Sequence, residues 1–153
     1  MDPDYLSKHY LWKLQETVKS CWDKKALCNY GGESFTFRDL ATNIGKFHLL
    51  FEQSGIRKGD KVAICAKNTA RWAVSFFAIN TYGAVAVPIL CDFHPDSINH
   101  LVDHSESIAF FVDGDIWAKL DIKKMPQVRS VINVQDFSVL YSSDGLMEKA
   151  FAG

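Results

Sequence analysis

The chain has 153 residues, of which 48% are apolar, and it carries 17 Lys and Arg against 18 Asp and Glu, a formal net charge of −1. That length fits one compact domain or one piece of a larger protein, and the apolar share excludes a disordered chain. The balanced charge offers no basic face, so no nucleic-acid partner is expected.

Cys21, Cys28, Cys65 and Cys91 form no CxxC pair and no dense framework. Four reduced thiols are the expectation, in a cytoplasmic protein that is at most peripheral to a membrane. The start MDPDYLSKHYLWKL places acids early and lacks the basic stretch and apolar run of a secretory signal. No apolar run reaches the length that crosses a bilayer.

Leu6 to Cys21 reads as a helix, with Leu11, Leu14 and Val18 at spacings of three and four. The runs KALCNY and ESFTF flank Gly31-Gly32, a pair suited to a two-residue hairpin loop. Thr36 to Ser54 is the clearest helix. Phe37, Leu40, Ala41, Ile44, Phe47, His48 and Phe51 share one stripe. Thr36 with Asp39 resembles a capping box, and Gly55 fits the left-handed position past the end.

RKGD is a polar turn before a short strand, Lys61 to Cys65. Asn68 or Thr69 is placed to cap the next helix, which runs to Tyr82 and is apolar on nearly every side. Gly83 stops it. The stretch YGAVAVPI then gives a strand over 84–88, which reads as buried and covered on both faces, with Pro88 at its end. Strand, helix and strand form one βαβ unit.

Pro95 to His104 predicts a helix with Pro in its first turn, and Ile108 to Val112 an apolar strand stopped by Asp113-Gly114-Asp115. A short amphipathic turn follows around Trp117 and Leu120. Val128 to Val134 reads as the last strand. Beyond Gln135 the pattern weakens, with a loop at 142–145 and a final helical turn over 146–151. The fold class expected is α/β, a mainly parallel sheet with flanking helices in βαβ repeats, plus an N-terminal β-hairpin.

Several clusters suggest chemistry. Cys91 and His94 followed by His100 and His104 superficially resemble zinc-ligand spacing, but only five residues separate the pairs and Pro95 starts a helix within that gap. No metal site is expected. Cys65 and Cys91 lack a base that sequence can place beside them, so neither is assigned as a nucleophile. Asp113 and Asp115 bracket a glycine and read as a turn, not a cation loop. KLDIKK reads as a solvated basic face. Phe76, Phe77, Phe110 and Phe111 invite an acyl-tunnel reading, against which core packing is the commoner use of such residues. No GxGxxG turn follows Val62–Cys65, which argues against a small nucleotide-binding protein.

The order of short motifs is more informative than any one of them. They are Phe35-Thr36-Phe37, Arg38-Asp39-Leu40, Gly55 with Gly59-Asp60-Lys61-Val62, Asn68 with Trp72, and Gly83-Ala84 with Pro88. In this register, over about Asp23 to Leu140, the chain resembles the start of the adenylate-forming, AMP-binding superfamily. That group includes acyl-CoA synthetases, luciferases and the adenylation domains of peptide synthetases. The segment Lys123 to Phe137 is similar to its long-chain-fatty-acid–CoA ligases.

The resemblance implies a two-step reaction. A carboxylate attacks the α-phosphate of ATP, and the thiol of coenzyme A then displaces AMP from the acyl-adenylate. It implies ATP, Mg2+ and coenzyme A as cofactors of the full-length enzyme and a fatty acid as substrate. The family's Ser/Thr/Gly-rich phosphate loop with its Pro-Lys does not occur in this sequence, and YSSDGL is no substitute. The expectation is therefore one domain over 1–153, the N-terminal part of a larger AMP-binding enzyme. It carries no catalytic residue of its own, binds no cofactor and is inactive alone. Apolar surface left uncovered would favour a homodimer. The rival expectation is a free-standing, non-catalytic interaction module with the same half-fold.

Overall fold

A computed structural model describes residues 9–152. The hydrophobic periodicities resolve into helix α1 (Tyr10–Ser20), a hairpin of β1 (Lys25–Cys28) and β2 (Ser34–Thr36), and helix α2 (Phe37–Gln53). Then come β3 (Lys61–Cys65), α3 (Ala70–Tyr82), β4 (Val85–Pro88), α4 (Pro95–His104) and β5 (Ala109–Val112). A one-turn helix α5 (Gly114–Trp117), a 3-10 turn (Ile122–Lys124), β6 (Ser130–Asn133), β7 (Val139–Ser142) and α6 (Leu146–Ala152) complete the chain. The part of the first expected helix before His9 lies outside the described residues.

Local chemistry fixes the element ends. Thr36 and Asp39 form the capping box that the sequence suggests, with the Asp39 carboxylate accepting from Thr36 N at 2.8 Å. Gly55 and Gly83 hold left-handed φ angles of 74° and 91° just past α2 and α3. Thr69, not Asn68, caps α3: its hydroxyl accepts from Trp72 N at 3.2 Å, while Asn68 is exposed. Thr69 occupies the half-extended residue directly before the helix, where a side-chain oxygen reaches the third helical N–H.

The five-stranded sheet runs β4-β3-β5-β6-β7, parallel except for β7. Side chains alternate across it. Val62, Ile64, Phe111 and Ile132 face a core closed by α2, α3 and Met147 of α6. Ala63, Cys65, Phe110 and Val131 face a second core closed by α4, Ile116 and Met125. The result is three layers.

Three expectations change. The hairpin loop spans the five residues between Cys28 and Ser34, closed by Asn29 N donating to Glu33 O at 2.8 Å, because Glu33 pairs before the two glycines can make a tight turn. The strand in YGAVAVPI lies at the sheet edge with Val85 47% exposed, so it is not buried on both faces. Val128–Val134 is not the last strand, since β7 returns antiparallel beside β6.

Candidate functional site

Helix α3 leaves β3 on one face of the sheet, and α4 returns from β4 on the other face to β5, which lies beside β3. Connections that part in opposite directions open a crevice at the carboxyl ends of the two strands, the usual ligand position in open α/β sheets. Here the crevice holds Cys65 to Asn68 and Asp113 to Asp115, flanked by Asn133 and Gln135.

Its polar groups are committed to one another. Asp113 is 3% exposed, and its carboxylate accepts from Lys67 N at 2.9 Å, tying the β3 and β5 loops together. Burial pushes its pKa up, the Lys67 N–H pulls it back, and the neighbouring Asp115 charge pushes it up again. Lys67 Nζ lies 3.6 Å from Asp115 Oδ2. Gly114 N donates to Asn133 Oδ1 at 3.2 Å, and a Cβ at Gly114 would stand 3.3 Å from Asn133 Nδ2. The pair Asp113 and Asp115 is thus a turn that locks strand ends.

Cys65 is fully buried, and burial first, then the nearby Cys91 and Asp113, push its thiol up to about 12. A thiol so protonated is no nucleophile at neutral pH. Cys91 Sγ lies 3.9 Å from Asp92 Oδ1. His94 caps α4, accepting from Asp96 N at 3.3 Å, and His100 and His104 stack on each other on the exposed face of that helix. Among the described residues no group of three or more His, Cys, Asp or Glu side chains is arranged to hold a metal ion. Lys124 of the basic stretch pairs with Asp96 at 2.6 Å.

The four phenylalanines do not line one channel. Phe110 and Phe111 are adjacent on β5 and therefore point into opposite cores. Phe76 stacks on Trp72 at 5.3 Å on the half-buried side of α3.

The glycine motifs meet at the other end of the sheet. Gly59 N donates to Gly83 O, and Val85 N donates to Asp60 O, both at 2.8 Å. Asp60 Oδ2 accepts from Arg57 N at 2.7 Å, and Tyr82 OH donates to Ile56 O at 2.7 Å. These loops precede β3 and β4, so the motif residues brace the amino ends of the strands.

One junction has no local signal in the sequence. Arg71, in the first turn of α3, forks onto Glu33 of the hairpin loop at 2.8 and 2.7 Å and lies 4.9 Å over the Phe137 ring. Asn29 of the same loop accepts from Ala70 N at 2.8 Å. The partners lie 38 and 41 residues apart, beyond any periodicity. The segment YSSDGL is the end of β7 and a cap on α6, where Asp144 Oδ1 accepts from Leu146 N at 3.0 Å. It makes no phosphate cradle.

Comparison with known proteins agrees with this architecture. FadD15 of Mycobacterium bovis, a long-chain-fatty-acid–CoA ligase, is 29% identical over 136 residues, 87% of this chain and 20% of that protein. The long-chain-fatty-acid-CoA ligase FadD1 from Archaeoglobus fulgidus superposes with a TM-score of 0.73 at 19% identity, over 89% of this chain and 29% of that one. The anthranilate CoA ligase AuaEII, solved with anthranoyl-AMP, superposes at 0.75 with 20% identity, over 89% of this chain and 26% of that one. At such identities the structural likeness speaks for the fold alone. The chain spans about a quarter or less of the length of the curated relatives it matches. The AMP-binding enzyme family matches residues 14–150, nearly the whole chain, so this protein belongs to the AMP-binding enzyme family.

Proposed function

We propose that this chain is the N-terminal part of an ATP-dependent, AMP-forming acyl-CoA ligase that activates long-chain fatty acids. The observation that carries the reading is the family match over residues 14–150, within which every motif named above falls. The long-chain branch draws on relatives named for that substrate and on the segment Lys123 to Phe137. ATP, Mg2+ and coenzyme A belong to the whole enzyme, which forms an acyl-adenylate and then transfers the acyl group to the thiol.

The residues described here do not fit the adenylating step. The crevice carboxylate is engaged by a backbone N–H, the Cys65 thiol stays protonated, and the only Ser-Ser-Asp-Gly run caps a helix. No step is therefore routed through them. Their work is to build a rigid half-sheet on which a catalytic half can seat, and the chain alone is inactive. Fatty-acid-dependent ATP–pyrophosphate exchange by the full-length protein is the test. Exchange with a long-chain acid and none by the 153-residue chain fits the reading. Exchange driven only by short or aromatic acids would overturn the long-chain branch.

A second reading, a free-standing interaction module, draws on one observation: two separate cores close within these residues. It requires that no exchange be found with any form of the protein.

A further inference from the structure

Helix α4 carries two imidazoles that have no hydrogen-bond partner among the described residues. The chain has five histidines. His9 and His94 each accept a backbone N–H, and His48 is bonded to Ala78 O and Thr81 Oγ1. The remaining two, His100 and His104, lie four residues apart, so they stand one above the other on the same helix face. Both are exposed, and their rings stack with centres 5.7 Å apart and planes 22° from parallel.

Two neutral imidazoles at this spacing on a helix are a chelating pair for a divalent late transition-metal ion. An ion about 2.1 Å from one nitrogen of each ring, at a tetrahedral or octahedral angle, sets the ring centres roughly 5 Å apart. Side-chain rotation on an exposed helix face covers that difference without moving the backbone.

The helix beneath the pair is held in place. Asn99 Oδ1 accepts from Asp121 N at 3.2 Å, Gln127 Nε2 donates to Asp103 O at 2.7 Å, and Ile98 and Val102 are buried in the second core. The backbone is therefore ordered before an ion arrives, which limits the entropy lost on binding. Charge acts in the same direction. His104 is the last residue of α4, where the terminal carbonyls favour a cation, and Asp103 adds a carboxylate beside it in the chain. His94 caps the start of α4, ten residues and about 15 Å of helix before His104, and Cys91 precedes it, so neither joins the pair. The other coordination positions stay with water.

We propose that His100 and His104 form a two-imidazole chelate on the exposed face of α4 for a divalent transition-metal ion such as Ni2+, Cu2+ or Zn2+. No catalysis is assigned to it. It is distinct from the Mg2+ of the ligase reading, which takes oxygen donors, so either can fail without the other.

The test uses the 153-residue chain with Ni2+, which suits imidazole, at neutral pH with the thiols kept reduced. Calorimetry should give saturable one-to-one binding. Amide resonances of Ser97–Ser107 should broaden first. His100→Ala and His104→Ala each leave a single imidazole and lose the intramolecular second contact, so each should weaken binding at least tenfold. His94→Ala should leave the affinity unchanged, as should a tenfold excess of Mg2+. Both positions of the pair are exposed, so the metal-free variants should unfold close to the wild-type temperature, while Ni2+ should raise Tm for the wild type and not for them. Wild-type affinity in either single variant of the pair, displacement by Mg2+, or broadening centred on Cys21–Cys28 or on Asp113–Asp115 would overturn the assignment.

Discussion

Replacing Arg71 with alanine tests whether the hairpin is fastened to the sheet by one junction. Arg71 donates twice to Glu33, at 2.8 and 2.7 Å, and covers the Phe137 ring. Exposed ion pairs contribute about 0.2–1 kcal/mol, while cutting a fully buried one costs about 3–5 kcal/mol. With side chains 25% and 36% exposed, this bidentate pair falls between those limits, at about 1.5 kcal/mol. The guanidinium–aromatic contact adds about 0.5 kcal/mol. Arg71→Ala should thus cost about 2 kcal/mol, which for a chain of this size lowers Tm by about 4–8 °C. Urea unfolding of the wild type, Arg71→Ala, Glu33→Gln and the double variant gives the coupling directly. Coupling of about 1 kcal/mol or more supports the junction. Strict additivity, with each single change near zero, would refute it and leave the hairpin held by apolar contacts and the Asn29–Ala70 hydrogen bond.

Three other outcomes follow from the same geometry. Gly83→Ala forces a Cβ into φ 91°, 3.3 Å from Lys58 Cγ, and should cost about 1–2 kcal/mol in urea unfolding. Burial holds the His48 imidazole below its ordinary pKa, with the Ala78 carbonyl pulling the other way, so the folded chain binds that proton less readily than the unfolded chain. Stability from His48 is then complete above about pH 6.5 and is lost as the pH falls through that value toward the lower folded pKa. The urea midpoint should drop between about pH 7.5 and about pH 5.5, and His48→Gln should flatten that drop. Under native conditions iodoacetamide should label exposed Cys28 first and leave Cys65 untouched until denaturant is added, read by peptide mass mapping.

The β3–α3–β4 unit was legible because each boundary carries its own chemistry: a cap at Thr69, a left-handed glycine at 83, a proline at 88. The exposure of β4 was not, because an apolar strand reads the same at the centre of a sheet and at its edge. Only the strand order, with β3 between β4 and β5, decides which it is. Strand β7 carries little sequence signal because it follows a turn in which Phe137 takes the left-handed position where a glycine would be the usual sign. All four of its residues are half-buried, which leaves no alternation to read. The motif glycines pointed correctly to the family, yet their places at the amino ends of the strands make them braces. The crevice and the first core are made by residues from distant segments, as with Lys67 and Asp113 or Phe47 and Phe137. No local spacing announces such pairs.

The most direct test of the central claim is the sequence of the source gene past the codon for Gly153. The account predicts an open frame that encodes a Ser/Thr/Gly-rich loop with Pro-Lys downstream. A stop codon directly after Gly153 would contradict it, because no adenylating centre would then exist for this half-sheet to support.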